Sequence, residues 1–227
     1  MKTIIVTGAS RGIGNYLARR LSENGYHVIG VARSYPVIER FEMMVCDVSN
    51  GESVHKAFSA LKKNTSVYGL INCAGILYTK PIISISNQEV SEIIDTNLKG
   101  TIFCCKNIIR PMIAHGSGRI INFSSIAATS ALRGDSIYSA SKAGVEVFSR
   151  AFAKELSSRS ITVNCISPGL IETDMTSRLT EEQRAILIGM QIIQKKADTD
   201  DIWGSVKFLL SNDSRMISGQ TLNICGV

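Results

Sequence analysis

The chain has 227 residues, more than one average domain and fewer than two, and no Pro/Gly/Ser-rich boundary divides it, so one α/β unit over 1–227 is expected. Hydrophobic residues are 44% and charged residues 19%, which gives ample apolar surface for a core and excludes wholesale disorder. The net charge of +6 is scattered as pairs such as Arg19 with Arg20, not as a basic stripe. That argues against nucleic acid and leaves a phosphorylated small ligand or an acidic protein partner.

No apolar run approaches the roughly 18 residues of a membrane helix. The first run, 4–6, ends at Thr7 and Gly8, too short for a signal-peptide core, so a cytoplasmic protein is expected. Six cysteines at 46, 73, 104, 105, 165 and 225 show neither C-x-x-C nor zinc-ligand spacing and read as reduced core residues, with no metal site.

Short apolar β-rich runs alternate with segments of helical period along the whole chain, the pattern of a doubly wound (Rossmann) sheet of seven mostly parallel strands with helices on both faces. A strand at 3–7 runs through Thr7-Gly8-Ala9-Ser10-Arg11-Gly12-Ile13-Gly14 into a helix at 12–24. Gly8 permits a tight turn, Gly12 lets backbone approach a pyrophosphate, and Gly14 lets the helix pack against the strand, leaving the helix N-terminus facing the phosphates. The spacing is G-x-x-x-G-x-G, and a purely structural turn is the alternative; the strand-to-helix context favours a dinucleotide site. A second strand, 27–31, leads to Ala32 and Arg33. An NAD site places a carboxylate there, about 20 residues past the glycines. Ala32 supplies none, whereas Arg33 and Arg11 offer guanidinium groups suited to a 2′-phosphate, so NADP(H) is the expected cofactor. The competing reading makes Arg33 a solvated loop residue, with NAD bound equally well.

A third strand, 43–46, precedes Asp47-Val48. Only 13 residues separate Arg33 from Asp47, Pro36 among them, so the helix usual at this point is truncated or missing. A helix at 51–63 and a strand at 67–72 lead into Asn72-Cys73-Ala74-Gly75. Helices at 87–96 and 97–114 follow, then a strand at 119–124, a helix at 138–158 and a strand at 162–166. Several strands are apolar at successive positions, as burial on both faces requires. The stretch 168–198 has no clear period and is expected to be a substrate lid. A helix at 199–211 and a strand at 221–224 complete the chain.

The helix at 138–158 carries Tyr138 and Lys142, four residues apart and therefore on one face. A free tyrosine has a pKa of about 10, so a catalytic one needs a neighbouring cation. Lys142 is expected to lower the Tyr138 pKa and make the phenol a general acid for carbonyl reduction.

The glycine loop, Asn72-Cys73-Ala74-Gly75, Asp95-Thr96-Asn97-Leu98, Ser125 thirteen residues before Tyr138, Tyr138-Ser139-Ala140-Ser141-Lys142 and Pro168-Gly169-Leu170-Ile171-Glu172-Thr173-Asp174-Met175, in that order, resemble the short-chain dehydrogenase/reductase family over essentially the whole chain. The 168–175 segment is most similar to bacterial 3-oxoacyl-acyl-carrier-protein reductases. The resemblance implies that Ser125 hydrogen-bonds the substrate carbonyl, Tyr138 donates the proton, Lys142 also holds the nicotinamide ribose, and Asn97 anchors a water for proton resupply. It implies further that Asp47, with Val48 beside it, meets the adenine and that Asn72, Ala74 and Gly75 line the adenosine ribose. The nicotinamide end would meet Ile171 and Thr173, with Pro168 and Gly169 at the base of the same loop. Ser124 is expected to point elsewhere, into local hydrogen bonding.

Cys73 stands where the family usually has a second Asn and is given no role. Gln194-Lys195-Lys196-Ala197-Asp198 replaces the more usual Gly-Arg turn. A carrier-tethered substrate calls for basic residues near the entrance, for which Arg110, Arg119 and Arg133 are the candidates. The helices at 97–114 and 138–158 each show more than one apolar stripe, among them Ile113 and Val147, so a second covered face and a homotetramer are expected. The leading function is NADPH-dependent reduction of a 3-oxoacyl thioester, linked to acyl-carrier protein or coenzyme A. The alternatives are reduction or oxidation of another small ketone or alcohol, sugar-derived or secondary-metabolite, and an NADP-binding sensor or scaffold without turnover.

Overall fold

The computed structural model describes residues 1–34, 40–61, 65–172, 176–177 and 179–226. Its seven strands, β1 (Thr3–Thr7), β2 (His27–Ala32), β3 (Glu42–Val45), β4 (Val67–Asn72), β5 (Gly118–Phe123), β6 (Ile161–Ser167) and β7 (Thr221–Asn223), form one parallel sheet in the order β3-β2-β1-β4-β5-β6-β7. Strand order reverses between β1 and β4, and open α/β sheets bind ligands beyond the carboxyl ends of strands at such a switch point. Thr7 pairs in register with Asn72, and Asn72 with Asn122, so these strand ends lie level.

Successive residues of each strand face opposite layers. Ile4 and Val6 pack against α1 (Gly12–Glu23) and α8 (Thr199–Leu210) through Leu17, Leu21, Trp203 and Val206. Ile5, with Leu70 and Ile120, faces α2 (Gly51–Ser59) and α4 (Gly100–His115) through Val54, Phe58, Ile108 and Met112. Each such side chain, fully buried, contributes about 1.5–3 kcal/mol, and two covered faces explain why these strands read as unbroken apolar runs.

Several helix starts follow from side-chain caps. Asn50 caps α2; Ser86 and Glu89 form a capping box on α3 (Asn87–Ile93), and Asp198 with Asp201 forms one on α8. The region expected as one irregular stretch, 168–198, contains α7 (Glu181–Gly189), opened by the reciprocal Thr180–Gln183 box. Its helical period is obscured because none of its residues is buried. The helix expected from 97 begins instead as a π-helical segment, Ile94–Lys99, that runs on into α4. Two helices complete the set: a short α5 (Ala127–Ser130), and α6 (Ser136–Glu155). Near β2 and β3, Phe41 and Met43 cover the sheet where a helix is usual. A Cβ on Gly30 would lie 2.6 Å from atoms of each. No helix among the described residues is long and apolar enough to cross a membrane.

Candidate active site

The glycine loop is shaped by backbone contacts that leave no room for side chains. Gly8 has φ 70°, and a Cβ there would lie 2.9 Å from Ala74 backbone; one on Gly14 would lie 2.4 Å from the Gly8 carbonyl oxygen. Thr7 Oγ1 accepts the Ala74 N–H at 3.1 Å, and Asn15 Nδ2 donates to the Ala9 carbonyl at 2.9 Å, joining loop, strand and helix. Gly12, at φ 57°, has nothing within 4 Å of where its Cβ would lie. The N-terminus of α1 carries no side-chain cap and no acid in its first turn. Its free N–H groups and an open glycine beside them make a cradle that fits a dinucleotide pyrophosphate. Ser10 and Ile13 are half-buried at its rim, and Arg11 is exposed.

On the neighbouring side Arg33 is exposed near the Tyr78–Glu92 pair, where the bond to Glu92 raises the Tyr78 pKa and the bonds from Gln88 and Tyr78 lower that of Glu92, the Arg33 charge being a minor influence on both. Asp47 Oδ1 accepts from the Ser49 N–H at 3.0 Å and its hydroxyl at 2.7 Å, and Val48 is buried beside it. Asn72 turns its carboxamide inward, donating to Asn122 Oδ1 at 2.8 Å, so it faces the cleft only through its backbone. Ala74 and Gly75 are half-buried at the mouth.

At the end of β5 the chain delivers Ser125 to α6. The Ser125 hydroxyl accepts the Ala127 N–H at 3.2 Å and lies near enough to the Tyr138 phenol to oppose the rise in its pKa. Tyr138 and Lys142, one helical turn apart, are 8% and 5% exposed. Lys142 Nζ donates to the Phe123 carbonyl at 2.8 Å and lies 5.8 Å from the centre of the Tyr138 ring. Asn97 lies in the π-helical segment, an irregularity that recurs at functional sites. Fully buried, its carboxamide accepts the Ile76 N–H at 2.8 Å and donates to the Ile76 carbonyl at 3.0 Å and to Ser141 Oγ at 3.1 Å. A Cβ on Gly75 would lie 3.3 Å from Asn97 Oδ1 and 3.5 Å from Lys142 Nζ, so both groups crowd the same strand end.

One expectation is corrected. Burial pushes the Tyr138 phenol up to about 12, opposed by the nearby Ser125 hydroxyl and reinforced by the Asp135 charge. Burial also brings the Lys142 ammonium down to about 8, and its bond goes to the Phe123 carbonyl rather than to the phenol. A phenol raised in this way holds its proton at neutral pH and is disposed to give it up only to a stronger base, such as an alkoxide.

Ser124 does not make the local bonds expected of it: its hydroxyl reaches α6, donating to Glu146 Oε1 at 2.6 Å, with the Lys142 carbonyl at 3.4 Å. Cys73, half-buried near Lys142, has its thiol pushed up by burial and is not primed to react. Arg119 is not an entrance residue. It is 5% exposed, donates to the Gly118 carbonyl at 2.9 Å and stacks over Tyr68, while Arg110 and Arg133 are exposed. Beyond β6, Pro168 and Ile171 are buried and Gly169 is half-buried, with Ile171 bridged to Ala197. Thr173, Asp174 and Met175 lie outside the described residues. Thr7, Ile76 and the Phe123 carbonyl shape the site without any sequence signal, since two of the contacts use backbone atoms. No metal-ligand cluster occurs among the described residues. A cavity of about 1100 Å³, lined by none of the catalytic candidates, runs along α6, β6 and β7 past Arg150, Lys154, Arg159 and Arg215.

Comparison with known proteins agrees with this geometry. The chain is 37% identical to the 3-oxoacyl-[acyl-carrier-protein] reductase FabG of Vibrio cholerae, covering 99% of this chain and 96% of that protein. It is 35% identical to carbonyl reductase family member 4 of Danio rerio, with 98% and 95% covered. The fold superposes on the ligand-free aldohexose dehydrogenase of Thermoplasma acidophilum with a TM-score of 0.90 at 28% identity, covering 98% of this chain and 92% of that one. For a putative NAD(P)-dependent gluconate 5-dehydrogenase from Beutenbergia cavernae with bound NADP, the TM-score is 0.91 at 29% identity, with 98% and 94% covered. A match to the short chain dehydrogenase family spans residues 2–184, and the chain belongs to that family of oxidoreductases.

Proposed function

We propose that this chain is an NADPH-dependent carbonyl reductase that converts a 3-oxoacyl thioester, carried by acyl-carrier protein or coenzyme A, into the 3-hydroxyacyl form. The observation that carries the reading is the Ser125–Tyr138 hydroxyl pair with the buried Lys142 one turn away. Two hydroxyls converging on one carbonyl oxygen stabilise the charge that builds there. Tyr138, protonated at neutral pH, delivers its proton to the nascent alkoxide. Lys142 holds positive potential beside the phenol as the proton leaves, and Asn97 fixes the Ile76 backbone and Ser141 around them.

Bound NADPH supplies the hydride. Gly8, Ser10, Gly12, Ile13 and Gly14 would hold its pyrophosphate, Arg11 and Arg33 its 2′-phosphate, and Asp47 with Val48 its adenine. Asn72, through its backbone, with Ala74 and Gly75 would line the adenosine ribose and Lys142 would hold the nicotinamide ribose. Pro168, Gly169, Ile171 and Thr173 would enclose the nicotinamide end. Arg33→Ala is expected to raise KM for NADPH about tenfold or more, the value of a lost charge-assisted hydrogen bond. KM for NADH should stay nearly unchanged, and a site that prefers NADH from the start would contradict the assignment.

An acyl chain suits the flanking segments better than a sugar. Ile82 and Ile83, in the loop whose Lys80 N–H bonds the Gly134 carbonyl before α6, are 62% and 93% exposed, and Ile192 is 75% exposed. Steady-state rates across 3-oxoacyl thioesters, free ketones and aldoses, with both cofactors, test the reading; turnover confined to aldoses would replace it.

Assembly as a homotetramer in the cytoplasm belongs to the same proposal. β7 pairs on one side only, Val147 is 62% exposed and Ile113 37%, and the stacked Phe148 and Phe152 lie on the same helix as Val147. Light scattering at micromolar concentration should give four times the chain mass; a monomer would refute it.

A further inference from the structure

We propose that Gln191 is a positioning residue, whose carboxamide fixes the turn at 168–171 and through it the affinity for the nicotinamide end of the dinucleotide. The assignment rests on the reading of the site as a nicotinamide-dependent reductase.

Gln191 is 2% exposed, and every polar group of its side chain is committed to loop backbone. Oε1 accepts the Leu170 N–H at 2.7 Å; Nε2 donates to the Lys195 carbonyl at 2.8 Å and the Ile193 carbonyl at 3.2 Å. An apolar side chain would fill this space without the cost of burying an amide. What the amide adds is geometry, because it ties the turn leaving β6 to the segment that returns towards α8. The neighbouring glycine is built around it. A Cβ on Gly169 would lie 2.2 Å from Gln191 Oε1, so residue 169 must lack a side chain for the contact to form.

Both partners are anchored elsewhere, so the contact transmits position. On one side, the Pro168 carbonyl accepts the Ile126 N–H at 3.0 Å, one residue beyond Ser125, and Gly169 donates to the Ile224 carbonyl at 3.0 Å. On the other, the Ile193 N–H donates to the Cys225 carbonyl at 2.9 Å, and Cys225 holds a left-handed backbone at φ 72°. Gln191 therefore closes a ring linking the turn, the return segment and the last residues of the chain. With the Gly-Arg turn usual in this region replaced by Gln194-Lys195-Lys196-Ala197-Asp198, this carboxamide supplies the constraint.

Gln191→Met keeps the volume and removes all three bonds. It should speed amide hydrogen exchange across 168–171 in the cofactor-free protein and weaken NADPH binding, read by fluorescence titration, about tenfold. At saturating cofactor, kcat should stay within about threefold. Gly169→Ala, which displaces the carboxamide without removing it, should likewise speed exchange across the turn and weaken NADPH binding, and the double variant should bind NADPH no worse than the weaker single. Should Gln191→Met fail to fold, Gly169→Ala and Gln191→Glu, which keeps the acceptor and loses both donors, are read in the same way. Unchanged exchange and NADPH affinity in the single variants, or additive losses in the double, would overturn the assignment. If the wild-type chain binds no dinucleotide, the functional reading fails instead, and the exchange measurement still decides whether Gln191 fixes the turn.

Discussion

Tyr138→Phe is expected to lower kcat for carbonyl reduction by about a thousandfold, within the 10²–10⁴ range of a general acid, while NADPH affinity stays within about twofold. The substitution removes one hydroxyl from a ring that is 8% exposed and otherwise packed, so it leaves no cavity and should cost at most about 1 kcal/mol of stability. Ser125 keeps the Ala127 N–H. Turnover retained in the phenylalanine variant would show that the proton comes from elsewhere. Turnover in the wild type that is lost while binding is retained also distinguishes a catalyst from an NADP-binding sensor, because a pure binder needs the glycine loop and no proton donor.

Lys142→Met is expected to abolish turnover by at least about a hundredfold and to stabilise the fold at neutral pH. The folded-state pKa of Lys142 is about 8, against an ordinary value of 10.5. Below pH 8 folded and unfolded chains both carry the proton, and the cost of burying it applies in full, on the order of 3 kcal/mol. Between about 8 and 10.5 only the unfolded chain keeps the proton, so wild-type stability rises with pH, and above that window the cost is gone. Methionine forfeits the bond to the Phe123 carbonyl, worth about 1 kcal/mol, leaving a net gain of roughly 2 kcal/mol at pH 7. Denaturant titration at pH 7 and pH 10 checks it: the advantage over wild type should shrink as pH rises. A variant less stable than wild type at both values would mean that the ammonium is well solvated in the folded chain. The trade of stability for function is common where a site requires a buried charge. The same titration sets the pH profile of the reaction. Reduction should decline above pH 8 as Lys142 loses its charge, well before the phenol deprotonates near 12.

Much of this site is legible in the chain because its chemistry is periodic or local. Tyr138 and Lys142 fall one helical turn apart by spacing alone, Gly8 and Gly14 announce a close turn, and strands such as Thr3–Thr7 show burial on both faces by their unbroken apolar runs. Helix α7 was also legible, through Thr180 and Gln183, but with none of its residues buried it lacks the period that would have drawn attention to it. The remainder depends on distant partners. The pKa of Tyr138 is decided by burial, and burial is a property of the assembled layers. The partner of Lys142 is a backbone carbonyl from β5, and backbone acceptors carry no residue signature. Gln191 looks like a surface glutamine until Leu170, twenty-one positions earlier, is folded against it. Arg119 looked like an exposed charge because nothing in the neighbouring residues reveals the Tyr68 ring beneath it.

The central claim is hydride reduction of a carbonyl at the Ser125–Tyr138 pair. Incubating the protein with a 3-oxoacyl thioester and NADPH carrying deuterium at C4 of the nicotinamide tests it most directly. The account predicts a 3-hydroxyacyl product with one deuterium on the hydroxyl-bearing carbon, transferred from a single face of the ring. A product without deuterium, or no product from the thioester while the protein oxidises an aldose when given NADP+ instead, would contradict it.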